Sequence, residues 1–274
     1  MYFKKMAINS YVKVNEEITD YIKFGNGEKT LVMIPGVGDG LKTVKGTAAP
    51  FSFMYRKLSK EFTVYAFSRP RDIKTGTTTR DMAVSLKAAM TALGIGPAVI
   101  VGVSQGGMIA QWLAIDYPEL IEKLILVVTL SRPNETVNNV IDKWIEMAKE
   151  GDYKGIMMST AELSYSPKKV EVSKKLYELL GRLGRPKSFE RFIIQAESCL
   201  EHNAYDKLEE IHCPTLIIGG TDDRIVTGEA SREIAERIPD SKLIMYEGLG
   251  HGLYEEAKDF LQQILKFIEV LNEE

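Results

Sequence analysis

The sequence predicts an α/β fold, a parallel sheet covered by helices on both faces and interrupted by an all-helical insertion. Three observations predict it. Strand and helix patterns alternate from the N-terminus to about residue 130. From Pro133 to about Tyr205 the patterns are helical only, and from Thr215 the alternation resumes. Short, nearly continuous apolar strands between helices are what a sheet buried on both sides requires. A stretch of roughly seventy residues without a strand is far longer than an ordinary connection.

The elements follow in order. Two strands are expected at Ile8–Val14 and Asp20–Phe24, closed by the turn Gly25-Asn26-Gly27. Thr30–Ile34 is a short apolar strand that stops at Pro35-Gly36, Met54–Leu58 reads as a short helix, and Phe62–Phe67 as a strand. Met82, Leu86, Ala89, Met90 and Leu93 recur at helical spacing and give Asp81–Leu93 one apolar face. Ala98–Val103 is a strand, Gln105–Tyr117 a helix closed by Pro118, and Leu124–Leu130 the next strand.

Within the insertion one helix carries Val140, Ile141, Trp144, Ile145 and Ala148. A second carries Leu176, Leu179, Leu180 and Leu183, and a third Phe189, Phe192, Ile193, Ala196 and Leu200. Thr215–Ile218, a helix over Gly228–Ile238, Leu243–Tyr246 and a closing helix with Phe260, Ile264, Leu265 and Ile268 complete the chain. The expected division is a core formed by residues 1–132 and 206–274, with 133–205 as the helical insertion.

Bulk composition narrows the function. A chain of 274 residues with 45% hydrophobic and 27% charged residues has the make-up of a globular protein able to bury a substantial core. Its net charge of −3 and lack of a Lys/Arg-rich block argue against a nucleic-acid partner. No apolar run reaches the length of about eighteen residues needed to span a membrane. Met1–Ser10 has no apolar core suited to a signal peptide. Cys199 and Cys213 fit neither a disulfide framework nor a metal-ligand spacing, so a cytoplasmic setting is expected.

The chemistry centres on Gly102-Val103-Ser104-Gln105-Gly106-Gly107. Here a G-x-S-x-G pattern stands between a strand and a helix, which places Ser104 on a tight bend with its hydroxyl exposed. A serine hydroxyl needs a base to take its proton and a third group to orient that base. Of the three histidines, His212 precedes a strand and His202 ends the helical insertion. His251 lies in Gly248-Leu249-Gly250-His251-Gly252, between the last strand and the last helix, where an open α/β sheet places its ligands. His251 is the favoured base and His202 the alternative.

An acid is expected between serine and histidine in chain order. Thr215–Gly220 leads into Thr221-Asp222-Asp223-Arg224-Ile225-Val226, where Asp223 is favoured over Asp222 because the apolar pair Ile225-Val226 follows it. The strand after the Ser104 helix ends Thr129-Leu130-Ser131 and offers no carboxylate. Two N–H donors must meet the developing oxyanion. Gln105, directly after the serine, is one candidate; Val37, in Pro35-Gly36-Val37-Gly38-Asp39-Gly40, is the other. That glycine-rich loop matches neither phosphate-binding pattern, which sets nucleotide binding aside.

These pieces resemble the α/β-hydrolase superfamily, in particular its capped, esterase-like members. The matching segments are Ile34-Pro35-Gly36-Val37-Gly38, the Ser104 turn, Gly220-Thr221-Asp222-Asp223-Arg224-Ile225-Val226 and Gly248–Gly252, and Met108–Val127 looks like the family's helix and following strand. The resemblance implies an eight-stranded, mostly parallel sheet with the insertion as a lid. It also implies nucleophile Ser104, acid Asp223, base His251 and oxyanion donors at Val37 and Gln105. Many members carry His-Gly where this chain has Pro35-Gly36.

The function expected is hydrolysis of a small-to-medium, largely neutral carboxylic ester through an acyl-serine intermediate, with no cofactor and no metal. Carbon–carbon, lactone or thioester cleavage would use the same three residues. A protein of the same fold that binds or senses a small molecule with little turnover is the competing class. Trp144, Met157, Met158 and Phe192 of the insertion are the candidate substrate-binding residues, and Arg69, Arg71 and Arg80 a candidate carboxylate site. A small molecule is the expected partner, and a monomer or homodimer the expected state.

Overall fold

Alternate side chains of the central strands feed two separate apolar cores. Leu31 and Met33 of β3 (Lys29–Ile34) join one core, and Val32 and Ile34 the other. Strand β5 (Ala98–Val103) divides the same way, with Val99 and Val101 against Ile100. The period-2 alternation of a strand is thus spent on burial at both faces. The structure, a computed structural model, describes residues 7–172, 177 and 184–270.

The eight strands run in the order β1-β2-β4-β3-β5-β6-β7-β8. β1 (Ile8–Val14) and β2 (Glu17–Phe24) form an antiparallel hairpin, and β2 pairs antiparallel with β4 (Phe62–Pro70). From β4 onward every pairing is parallel, through β3, β5, β6 (Ile121–Val127), β7 (Thr215–Gly220) and β8 (Ser241–Tyr246). Parallel strands bring their carboxyl ends to one edge, and ligand sites of open α/β sheets form there.

Helices α1 (Ala48–Met54) and α8 (Phe260–Val270) supply Ala48, Phe260 and Ile264 to the core that holds Leu31. On the opposite face lie α2 (Thr79–Ala92), α3 (Gln105–Asp116) and α7 (Gly228–Arg237). α2 starts at a capping box in which Thr78 and Asp81 satisfy each other's backbone N–H. Every residue of α3 from Gln105 to Ala114 is buried, as expected for a helix apolar on all sides.

Between β6 and β7 stand α4 (Glu135–Glu150), α5 (Tyr153–Ser164) and α6 (Glu190–Leu200). Asn134 caps α4 by accepting from the Val137 N–H at 2.9 Å, and Gly151 ends it in the left-handed region with φ 74°. Ile141, Trp144 and Ala148 of α4 pack with Phe192 and Ala196 of α6, and the cluster reaches the sheet through Met108, Leu130, Ile225 and Val226. The expected helix with Leu176, Leu179, Leu180 and Leu183 lies outside the described residues.

Two expected elements shift. The helix expected at Met54–Leu58 lies a turn and more earlier, at Ala48–Met54, because Pro50 falls in the first turn, where no N–H is needed. The strand expected at Leu124–Leu130 is Ile121–Val127. Val128 and Leu130 are buried all the same, but Val128 turns out of the sheet with φ 44°. Among the described residues no helix is long and apolar enough to cross a membrane.

Candidate active site

Ser104 sits between β5 and α3 with φ 54° and ψ −122°. A non-glycine residue with positive φ is strained, and such strain persists only where the surroundings fix it. Here they do. The Ser104 N–H donates to the Val127 carbonyl at 2.9 Å. Its own carbonyl accepts from the Gly107 N–H and the Thr129 hydroxyl, each at 2.8 Å. With the backbone held on both sides, the side chain points into the cavity that it lines.

β7 and β8 deliver the second and third groups. His251 Nδ1 lies 2.8 Å from Asp223 Oδ2. Asp223 Oδ1 accepts from the N–H groups of Ile225 at 2.8 Å and Val226 at 3.0 Å. Burial by itself would raise the Asp223 carboxyl, but the adjacent His251 charge, its hydrogen bond and the two N–H donors outweigh burial and hold it below the usual carboxylate range. Asp222 is exposed and accepts from the neighbouring Thr221 hydroxyl. The structure therefore pairs His251 with Asp223, leaving Asp222 at the surface.

The other two histidines lie elsewhere. His202 is buried with Nδ1 2.9 Å from the Thr79 hydroxyl, its ring edge-on to Trp112. Burial pushes it down to about 3. His212 is exposed.

Val37 is the first residue of a 3-10 turn (Val37–Gly40), and Gln105 the first of α3. First-turn N–H groups have no partner within their own helix, which leaves both available to an anion. Val37, Gly36 and Ser104 line the same cavity. The Gln105 side chain is turned into the protein, where it meets Arg69, the Gln195 carbonyl and the Ser198 hydroxyl.

The cavity has a volume of about 450 Å³ and also holds His251. Trp144, Met157 and Phe192 line it, as does Leu41. Met158 does not. On α5 the lining positions are Tyr153, Ile156, Met157, Thr160 and Ser164, one helical stripe, and Met158 stands off it. Sequence reasoning missed Tyr153, Thr160 and Ser164, although that same i, i+3, i+4, i+7 spacing would have found them. It also missed Lys42, an exposed cation at the cavity wall.

The three arginines do not form one site. Arg71 pairs with Asp20 and Arg80 with Asp116, both at 2.6 Å, while Arg69 is buried beneath the Val37 loop. Among the described residues no group of three or more His, Cys, Asp or Glu side chains is placed to hold a metal ion.

Comparison with known proteins agrees with this architecture. The sequence family described as the alpha/beta hydrolase fold matches residues 29–258. A curated relative, the 2-hydroxy-6-oxononadienedioate/2-hydroxy-6-oxononatrienedioate hydrolase of a Pseudomonas species, is 27% identical over 95% of this chain and 93% of its own. Among solved structures, an alpha/beta hydrolase enzyme from a Medee basin deep-sea metagenome library superposes with a TM-score of 0.84 at 24% identity, over 94% of this chain and 97% of that one. The enol-lactonase of Burkholderia xenovorans LB400 gives 0.81 at 19% identity, over 94% and 99%. At these identities the solved structures show the shared fold.

Proposed function

The chain belongs to the α/β-hydrolase family, and from that premise we propose that it is a serine hydrolase acting through an acyl-enzyme. One observation carries the reading: Ser104, held at φ 54°, shares a cavity with His251, whose Nδ1 is bonded to the buried Asp223 at 2.8 Å.

In this reading Ser104 Oγ attacks the substrate carbonyl carbon while His251 takes the hydroxyl proton through Nε2. Asp223 fixes the ring's tautomer and stabilises the imidazolium. The N–H groups of Val37 and Gln105 receive the oxyanion. His251 returns the proton to the departing oxygen, and the acyl group stays on Ser104. Water then gives a proton to His251 and adds to the acyl carbon, and His251 passes that proton to Ser104 Oγ as the bond to the acyl carbon breaks and the acid leaves.

The substrate class follows from the walls. Trp144, Met157, Phe192, Ile156 and Leu41 favour an uncharged acyl group of small to medium size, and methionine adapts to varied apolar shapes. The helices of residues 133–205 then serve as the cap that sets acyl length. A second reading is carbon–carbon bond hydrolysis by the same residues. The Pseudomonas relative, similar over nearly the whole chain, favours it, as does Lys42 as a cation for an acidic substrate.

The test is a series of neutral nitrophenyl esters of rising acyl length set against a 2-hydroxy-6-oxo dienedioate, with wild type and Ser104→Ala. Ester turnover lost in Ser104→Ala supports the first reading. Turnover of the dienedioate alone transfers the assignment to the second.

A further inference from the structure

We infer that Arg69 and Arg191 are positioning residues, a paired strut that sets the two oxyanion donors from behind the cavity; this rests on the serine-hydrolase reading above. Val37 stands between two residues whose carbonyls are both held by an arginine. Arg69, near the end of β4, donates through Nη2 to the Pro35 carbonyl at 2.6 Å. Arg191, on α6, donates through Nη1 to the Asp39 carbonyl. The loop segment that carries the Val37 N–H is thus fixed on either side.

The same strut reaches the other donor. Arg69 Nη2 also donates to Gln105 Oε1 at 2.7 Å, and Gln105 Nε2 donates to the Gln195 carbonyl at 2.6 Å and the Ser198 hydroxyl at 3.1 Å. Gln105 is the residue whose backbone N–H would meet the oxyanion, so its side chain anchors that N–H to α6. One arginine therefore bridges both halves of the hole.

The two arginines are joined through Asp39. Its Oδ2 accepts from Arg191 Nη2 at 2.5 Å and from the Arg69 backbone N–H at 3.1 Å. Arg191 Nη2 donates further to the Arg69 carbonyl at 3.0 Å. Asp39, Arg69 and Gln105 are all buried, where hydrogen bonds to charged groups are strong and geometry is held tightly. α6 comes close enough to enforce this: a Cβ on Gly40 would stand 2.6 Å from the Phe192 Cα. Neither arginine is among the residues that line the cavity, so substrate would not touch them.

Such a strut serves the transition state and leaves substrate binding alone. Arg191→Met should lower kcat on a neutral nitrophenyl ester by about ten- to a hundredfold, the size of effect that small misplacements of reacting groups have. KM should stay within about twofold. The decisive readout is a trifluoromethyl ketone bearing the same acyl chain. Ser104 Oγ adds to its carbonyl carbon, the proton passes to His251, and the oxygen becomes an anion in the hole. Its inhibition constant should rise by the factor by which kcat falls, while that of the plain methyl ketone stays constant.

A kcat loss with an unchanged trifluoromethyl ketone constant, or no kcat loss, overturns the inference. If Arg191→Met does not fold, Arg191→Lys, which keeps the charge and gives up the planar fork, is put through the same comparison. Wild type separates the two claims. If it neither hydrolyses the ester nor binds the trifluoromethyl ketone, the serine-hydrolase reading fails and the strut with it; if it does both, the variant result bears on the strut alone.

Discussion

Gly106 passes so close to Ile34 that a Cβ at position 106 would stand 1.9 Å from the Ile34 carbonyl oxygen. That contact brings the start of α3 against the end of β3, and so brings the Ser104 turn beside the loop that holds Val37. Gly102 completes the packing, since a Cβ there would meet the Gly106 carbonyl oxygen at 2.5 Å. Gly106→Ala should therefore destabilise the fold by about 3 kcal/mol or more, lowering Tm by about 6 °C or more. Gly38→Ala is the control: nothing lies within 4 Å of its Cβ position. Its Tm should move by no more than about 2 °C. Equal shifts in thermal melts of the two variants would refute the close-approach argument.

The division of the Asp223 oxygens, one to His251 and one to two backbone N–H groups, makes this carboxylate difficult to replace. Asp223→Asn should cut turnover by about ten-thousandfold, and Asp222→Asn should leave it near wild type. The reverse ranking in steady-state kinetics would move the acid by one residue. Because the native carboxyl is held below its ordinary range, its contribution to stability is complete above about pH 4 and is lost as pH falls through the lowered value. Chemical denaturation across acid pH should show that loss in wild type and not in Asp223→Asn.

His202 gives the opposite kind of control. Burial lowers it to about 3 in the folded protein, against about 6.5 in an unfolded chain. Between those values the unfolded chain binds a proton that the folded chain refuses, so stability present above pH 6.5 drains away on acidification. In His202→Gln the fall of Tm between about pH 6.5 and about pH 3 should be shallower than in wild type. Its ester turnover at neutral pH should stay close to wild type. Abolished turnover in a folded His202→Gln protein would reopen the choice of base.

Met157 lies on the cavity stripe of α5, and Met158 does not. Met157→Trp should shorten the longest acyl chain accepted and spare acetyl esters, because the larger ring fills space that Met yields. Met158→Trp should leave the chain-length profile unchanged. Acyl-length profiles that respond alike to both changes would mean that the helix face has been misread.

Most of the scaffold was legible because local pattern and tertiary burial agree along it. Ala98–Val103 is a continuous apolar run, and a sheet buried on both faces requires that. The Ser104 turn was legible for the same reason, its glycines being demanded by contacts that the short motif already encodes. Expectation failed where tertiary context overrode pattern. Val128 and Leu130 read as strand because they are apolar, yet they are buried beyond the end of the sheet. The helix expected at Met54–Leu58 lies earlier, at Ala48–Met54, with Pro50 in its first turn. Arg69 and Arg191 are 122 residues apart in hydrogen-bond contact. No spacing rule within one sequence joins them, because that contact exists only once α6 has docked over the Val37 loop.

The most direct test of the central claim is labelling of the folded wild-type protein with a fluorophosphonate, followed by mass mapping of the adduct. A single covalent adduct is expected on Ser104, lost in Ser104→Ala together with turnover, which should fall on the order of a millionfold. A folded protein that takes no label at Ser104, or a Ser104→Ala variant that still turns over ester, would contradict it.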